Sequence, residues 1–499
     1  MKKTVFLTTL LFSSSVFAAD NPFEESIYSF EKGSASSNFI ELVSAVDDAA
    51  DDQTGTDESA ADTETFDDRL KSLEEKYKAL NKDLADFSAP KKDTKPSKPT
   101  YNVNGRIHAD FWSFPDTDRG AGFFENSDPG SAAFGNDPED RFAFRRIRIE
   151  TKGDILETML WRVQVDFNNT ASAEMKDVYI GWKNLPGNQT LLLGNQKRPL
   201  GLDHLNSSRR NVFLERPFVV EAFNEDARRP GLAMYGYTDN QKYHWRYGLY
   251  YLENITRDGR YNGDSRQMSG NFRLSSSPWY DESSNGRGYF HWAVAGMLAR
   301  PDGDTSAAED NSNEGRFRTR PEARSDSRWL DTGRVNGAQW YEIIALESIF
   351  NVGPLQITSE FQNTLMQRDN AGDLHFYGGY IYVSYHLTGE HIPYDRKTGT
   401  IGRLIPFENF FVVNRASGGT GHGWGAWGLA ARYSFLDLSD KDVLGGDGQS
   451  MTLALNWYWT PFSKLQFNLI RGSITDHAAV GGFTESDYTI AGTRFAIEY

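Results

Sequence analysis

Between residues 158 and 168, apolar and polar side chains alternate. Met159, Trp161, Val163, Val165 and Phe167 take one set of positions, and Leu160, Arg162, Gln164, Asp166 and Asn168 the other. Successive side chains of a strand point to opposite faces, so this pattern predicts a strand with one apolar and one largely polar face. The alternation recurs from Tyr101 to the end of the chain. The first strand sets Val103, Ile107, Ala109 and Phe111 against Asn102, Asn104, Arg106, His108 and Asp110. Others are expected near 141–152, 158–169, 175–184, 189–198, 230–238, 242–253, 267–277, 288–300, 338–350, 354–367, 375–388, 424–437, 450–460, 463–472 and 487–499, sixteen in all. A polar face meets solvent in a soluble sandwich and lines a watery lumen in a membrane barrel, so alternation alone leaves both open.

The connections narrow the choice. Short turns are expected at 154–157, 185–188, 238–241, 351–354 and 460–463, and longer polar loops at 115–140, 199–229, 254–266, 301–337 and 438–449. Short turns at one end and long loops at the other are the pattern of an outer-membrane barrel. Two connections fit less well. Residues 278–288 exceed a tight turn, and 389–423 is long at the end where short turns belong, so counts of fourteen or eighteen strands stay open. The pairs Trp279-Tyr280 and Trp340-Tyr341 and the run Trp457-Tyr458-Trp459 sit near strand ends, where amphipathic rings favour a membrane–water boundary. No segment past the leader offers the roughly 20 apolar residues of a spanning helix.

One stretch breaks the alternation. In the strand opening at Arg141, Phe142 and Phe144 share a parity that Ile147 and Ile149 do not. A β-bulge at Arg145-Arg146 would repair this, since one extra residue exchanges the faces. Phe142, Phe144, Ile147, Ile149 and Thr151 would then face lipid, and Arg145, Arg146, Arg148, Glu150 and Lys152 the lumen.

The first hundred residues differ in kind. Lys2 and Lys3, the apolar core 5–17 and the small-residue site Val16-Phe17-Ala18 predict a signal peptide over 1–18, with the mature chain opening at Ala19. Residues 19–65 are acidic and rich in Ser, Ala and Asp, too poor in apolar area to offset ordering entropy, and are expected to be disordered. Phe66, Leu70, Leu73, Tyr77, Leu80, Leu84 and Phe87 alternate steps of four and three, predicting a coiled-coil helix over 66–88 that assists a larger oligomer or lies against another partner. Residues 89–100 form a Pro/Lys linker, and 101–499 the barrel.

Composition excludes several function classes. There is no cysteine, so disulfides, thiol catalysis and cysteine metal sites are ruled out. The net charge of −16 argues against a nucleic-acid partner. After Thr100 the basic residues are 33 Arg and only 8 Lys, and Arg carries a fixed fork of donors matched to oxyanions.

The stretches FAFRRIRIETKGDI, VQVDFNN, KDVYIGW, LLLGNQKRPLGLDHLNSSRRNVFLERP, RRPGLAMYGY, YHLTGEHIPYDRKTG, GAWGLAARYSFLDL and LALNWYWTP, with the terminal strand, resemble the phosphate-selective porin O/P family of Gram-negative outer membranes. The resemblance spans 101–499 and rests on the order and spacing of these stretches, none diagnostic alone. It implies an all-β, sixteen-stranded transmembrane antiparallel barrel, a homotrimer, and a basic, anion-selective channel narrowed by inward-folded loops. The terminal Tyr499 resembles the insertion signal of such proteins. The chain departs from a strongly phosphate-selective pattern in its scarce lysine and in a net charge of −8 after Thr100.

An anion pore needs fixed positive charge and donors where water is stripped from the ion. One candidate group is Arg106, Arg145, Arg146, Arg148, Lys152 and Arg162 on the opening strands. The other borders or lies in the 199–229 loop: Lys197, Arg198, Arg209, Arg210, Arg216, Arg228 and Arg229. The ordinary alternative for a loop arginine is a rim pair with Glu215, Glu221, Glu225 or Asp226. The glycine-rich run 418–425 has no helix after it and reads as entry to a strand rather than a phosphate cradle. Asp437, Asp440, Asp442 and Asp447 read as solvated loop acids before a calcium site. No HExxH or GxSxG motif is present, which argues against an enzyme, and no cofactor is implied. The leading reading is a passive outer-membrane channel for small anions, phosphate among them, with the N-terminal region in the periplasm. The alternatives are a weakly selective porin and a structural barrel tied to the cell wall through its coiled coil.

Overall fold

The computed structural model describes residues 71–72, 74–78, 98–168, 172–224, 228–256, 266–304, 313–369, 371–414 and 418–499. The chain divides into two units, Met1–Pro96 and Ser97–Tyr499. In the first, Lys71, Ser72 and residues 74–78 are helical, inside the predicted heptad segment. The leader, the acidic segment, the rest of the heptad and the linker up to residue 97 lie outside the described residues.

The second unit is a closed antiparallel barrel of sixteen strands joined in sequence order. They are β1 Asn102–Thr117, β2 Arg141–Leu156, β3 Met159–Asp166, β4 Glu174–Leu185, β5 Gln189–Lys197, β6 Arg228–Tyr237, β7 Tyr243–Tyr251, β8 Met268–Tyr280, β9 Gly288–Arg300, β10 Ala338–Val352, β11 Leu355–Arg368, β12 Leu374–His386, β13 Ala426–Asp440, β14 Val443–Thr460, β15 Ser463–His477 and β16 Ser486–Glu498. β1 pairs with β16 over Arg106–Thr117, which closes the ring and leaves no edge strand. The count settles at sixteen. The 278–288 connection is a short turn carrying a 3-10 turn, Glu282–Ser284.

The outer face is apolar. Phe142, Phe144, Ile149, Leu193, Leu232, Leu249, Phe272, Ile344, Leu346, Leu453 and Leu469 are all exposed on it. Alternate residues point inward and are buried, as in the pattern of β15, where Gln466 and Asn468 are covered while Phe467 and Leu469 are not. This is the arrangement a lipid-embedded wall requires.

One expectation needs correction. Residues 438–449 are not a long loop, because β13 and β14 continue to a tight turn at Lys441-Asp442, with Lys441 in the left-handed region at φ 54°. The extension carries Asp437, Asp440, Asp447 and three glycines. Beyond the hydrocarbon layer a strand has no reason to keep an apolar outer face, so its sequence reads as loop.

The interior is filled unequally. The described parts of two long loops, 198–224 and 313–337, fold inward at one end. Helix α3, Phe218–Phe223 (α1 being Arg119–Glu125 and α2 Leu202–Leu205), joins one buried apolar cluster with Phe317, Trp329 and Leu330 from the second loop and with Ile343, Met366, Phe376, Leu436, Ile470 and Ile490 from the barrel's inner wall. Burying each such side chain contributes about 1.5–3 kcal/mol. The inner wall of β9–β16 is therefore dry at the long-loop end, and open space is confined largely to the β1–β7 side.

Candidate functional site

The bulge expected on β2 is present. His108 pairs with Arg146 and Ala109 with Phe144, so Arg145 is the extra residue. Phe142, Phe144 and Ile149 lie outside, while Arg146, Arg148 and Glu150 are buried inside. The register sets Arg106 of β1 directly opposite Arg148 of β2, and Arg148 opposite Asp166 of β3. Two guanidinium groups facing each other across a strand pair destabilise the sheet. Arg148 is compensated by Asp166. Arg106 is not: among the described residues its side chain donates to Ser207 Oγ of the inward loop at 3.3 Å, and its Nε has no partner.

These residues border a cavity of about 1120 Å³ between the β1–β7 wall and the two inward loops. Its lining holds twelve Arg and two Lys against five carboxylates, a strongly positive surface inside a barrel region of net negative charge. Among the described residues, Arg106, Arg146, Lys197, Arg246 and Arg324 on this lining make no ion pair. Lys197 donates to the carbonyls of His204, Leu205 and Asn206 at the end of α2. Arg246 lies over the Tyr235 ring at 5.4 Å and donates to Thr398 O at 3.4 Å. The other lining cations are largely paired: Arg145 with Glu215 at 2.7 Å, Arg228 with Asp177 at 3.0 Å, and Arg320 with Glu221 at 3.0 Å.

The loop segment 198–224 is held across the lumen at both sides. Leu202 N and Asp203 N donate to Glu360 of β11 at 2.8 and 2.6 Å. On the opposite side Lys464 Nζ and Gln466 Nε2 donate to Asn211 O at 2.8 and 3.2 Å. Glu215 accepts from Arg145 of β2 and from Arg494 of β16, each at 2.7 Å. Burial by itself would raise the Glu215 carboxyl, but Arg145 and Arg494 outweigh it and hold the group well below the usual carboxylate range. Burial, reinforced by Arg145 and Arg320, lowers Arg324 to about 9.

Of the candidates, Arg106, Arg145, Arg146, Arg148, Arg162, Lys197, Arg216 and Arg228 border the cavity. Lys152, Arg198, Arg209, Arg210 and Arg229 do not. Lys152 is half exposed near the short-turn end. Arg209 and Arg210 lie against Glu498, and Arg229 donates to Leu252 O. Residues 225–227 fall outside the described residues, so the expected partners Glu225 and Asp226 do too. Sequence reasoning missed Lys176, Arg246 and four arginines of the second inward loop: 318, 320, 324 and 328. The signal was the dense run RFRTRPEARSDSR at 316–328. Among the described residues no group of three or more side chains could hold a metal ion. Asp442 is instead paired with Arg368, which holds it down to about 2. The run 418–425 includes the second strand of a small hairpin, Phe411–Asn414 with Thr420–Gly423.

The family model for phosphate-selective porin O and P matches residues 102–478. A protein of Caulobacter vibrioides, described as uncharacterized, is 26% identical over 367 residues, 71% of this chain and 68% of its own length. Among solved structures, the loop L8 deletion mutant of OmpT, an outer membrane protein of Vibrio cholerae, is 9% identical, covers 80% of this chain and 99% of its own, and has a TM-score of 0.46. The outer membrane channel DcaP of Acinetobacter baumannii gives 10%, 80%, 97% and 0.46 in the same order. The anion-selective porin from Comamonas acidovorans gives 12%, 80%, 99% and 0.44.

Proposed function

The chain belongs to the phosphate-selective porin O and P family, a family of outer-membrane channels, and from that premise we propose that this channel passes small anions by passive diffusion, phosphate among them. The observation that supports the reading is the cavity lining, with fourteen basic side chains against five carboxylates while the barrel region as a whole is net negative. Charge on the lumen wall acts directly on a permeating ion, whereas charge on exposed loops is screened within about 8–10 Å at physiological salt. Arginine suits the task because its donors fit oxyanions in pairs and its charge does not titrate near neutrality. Arg106 and Arg146 are the first residues to assign to ion contact, since their guanidinium groups face the cavity without a carboxylate.

A homotrimer, with the N-terminal heptad segment on the periplasmic side helping to hold it together, is the assembly we propose. The side follows from chain direction: β1 opens at the short-turn end, which in outer-membrane barrels faces the periplasm.

The test is the reversal potential across a planar bilayer under a salt gradient. Anion preference is expected, and a clear cation preference overturns the reading. Competition of chloride conductance by phosphate, sulfate and carboxylates then ranks the solutes, and a block by phosphate weaker than by the others removes it as the favoured one.

A further inference from the structure

The connection between β12 and β13 ends on the outside of the barrel. β13 starts only at Ala426, opposite Tyr458, whereas β14 runs on to Thr460. Trp459 therefore has no strand partner on the β13 side. Phe410 fills the place, its N–H donating to Trp459 O at 2.7 Å. The Phe410 ring lies 4.6 Å from that of Trp457 and 5.9 Å from that of Trp459. Both tryptophans share the outward parity of Met451 and Leu453. Trp424 O accepts from the indole N–H groups of Trp427 and Trp457, at 3.2 and 2.8 Å. Phe407 N donates to the buried Glu390 at 3.0 Å. A lipid-facing wall keeps its backbone groups paired. A segment that completes the ladder at Trp459 belongs to that wall and sits at its depth, the membrane–water boundary where tryptophan rings gather.

The side chains turned away from the barrel here are apolar. Ile405, Phe407, Phe411 and Trp424 are between 62% and 76% exposed. Glu408 and Asn409, also exposed, lie between them in sequence, a mixture that suits an interface rather than a hydrocarbon core. Phe411 adds a separate sign. Its φ of 72° lies in the left-handed region, which a bulky residue avoids and glycine takes freely. A phenyl ring held there, and mostly exposed, contributes little to the barrel's own packing.

We propose that residues 405–411 together with Trp424 form a foot that binds the phospholipid leaflet at the short-turn end, setting four apolar side chains among headgroups and upper acyl chains. A lipid leaflet is the occupant because the patch continues the lipid-facing wall through Phe410, Trp457 and Trp459. The inference goes beyond the channel reading and is independent of which ion permeates. A second copy of the chain is the other possible occupant, and the test separates the two.

The chain has no cysteine, so single nitroxide labels can be placed in the full-length protein in phosphatidylethanolamine–phosphatidylglycerol vesicles. Phe407→Cys and Phe411→Cys carry the probe. Leu453→Cys on the outer wall of β14 marks lipid, and Asp239→Cys, exposed in the β6–β7 turn at the same end, marks water. At Phe407 and Phe411 the ratio of collisions with oxygen to collisions with a water-soluble nickel chelate is expected to exceed the Asp239 ratio at least about threefold, placing both labels about 5–10 Å into the headgroup–acyl boundary. Ratios equal to that of Asp239, with Leu453 in lipid, overturn the foot alone. A Leu453 label open to nickel overturns the membrane barrel and the foot with it. Labels shielded from both reagents and broadened by a neighbouring spin assign the surface to a second copy and also overturn the proposal. A cation-selective channel removes the anion reading and leaves the foot to be judged by these ratios.

Discussion

Arg494 and Asp110 meet across the seam where the barrel closes, with Nε to Oδ1 at 2.7 Å and Nη2 to Oδ2 at 2.6 Å. They are direct partners in the β1–β16 register, and neither is more than 3% exposed. Arg494 also donates to Leu214 O and to Glu215, so one guanidinium ties the closing strand pair to the inward loop.

Removing Asp110 leaves the buried Arg494 guanidinium with Glu215 as its remaining carboxylate partner, so its charge is only partly compensated. Asp110→Leu is expected to destabilise the barrel by about 3–5 kcal/mol, read as a lower urea midpoint or loss of heat-modifiable migration. Arg494→Met on the Asp110→Leu background should recover much of the loss, because replacing a whole buried pair with apolar groups is often near neutral. A double variant no better than the single would count against the pair as the cause.

The β2 bulge allows a sharper test. Deleting Arg145 restores plain alternation, with Phe142, Phe144, Ile147 and Ile149 outside and Arg146 and Arg148 inside, so the variant is expected to assemble. Deleting Phe144 instead puts Arg145 on the lipid face, at a cost of up to about 2–4 kcal/mol near the bilayer centre and little at its rim. Assembly yield in detergent and in lipid distinguishes the two. Equal yields would show that the extra residue carries no face-setting role.

The bulge was legible because an apolar face cannot change sides in lipid, and a parity break in a strand has few repairs. The strand count was legible for the same reason. What the sequence hid lies where lipid makes no demand. Past the membrane, β13 and β14 run through Asp437 and Asp447 to Lys441 without an apolar outer face. Inside, Ile470, Ile474 and Ile490 are apolar on the lumen side because they belong to the buried cluster that the inward loops complete with residues such as Trp329 and Leu330, partners found only in three dimensions. The cavity arginines at 318, 320, 324 and 328 were visible as a dense basic run, but a loop's direction is not written in its charge.

Charge at the cavity wall is open to direct titration by substitution. Arg106→Gln with Arg146→Gln is expected to lower the anion-to-cation permeability ratio about threefold, from reversal potentials, with modest loss of stability because neither side chain gives up an ion pair. Lys152→Gln, half exposed and away from the cavity, should leave the ratio unchanged. A ratio that moves equally with Lys152→Gln would place selectivity at the mouth.

Acid should release the inward loop, and Glu215 fixes where. Its folded carboxyl lies well below the ordinary glutamate value of 4.5, held there by Arg145 and Arg494 against the effect of burial. A depressed folded value means that the stabilisation is fully present above the unfolded value and is lost only as pH falls through the folded one. The loop should therefore stay latched from neutrality through mild acid, and conductance should change only well below pH 4.5. Glu215→Gln removes the charge at every pH and so should show the released conductance already at pH 7. A native channel whose conductance steps near pH 6 would point to a histidine, not Glu215, as the latch.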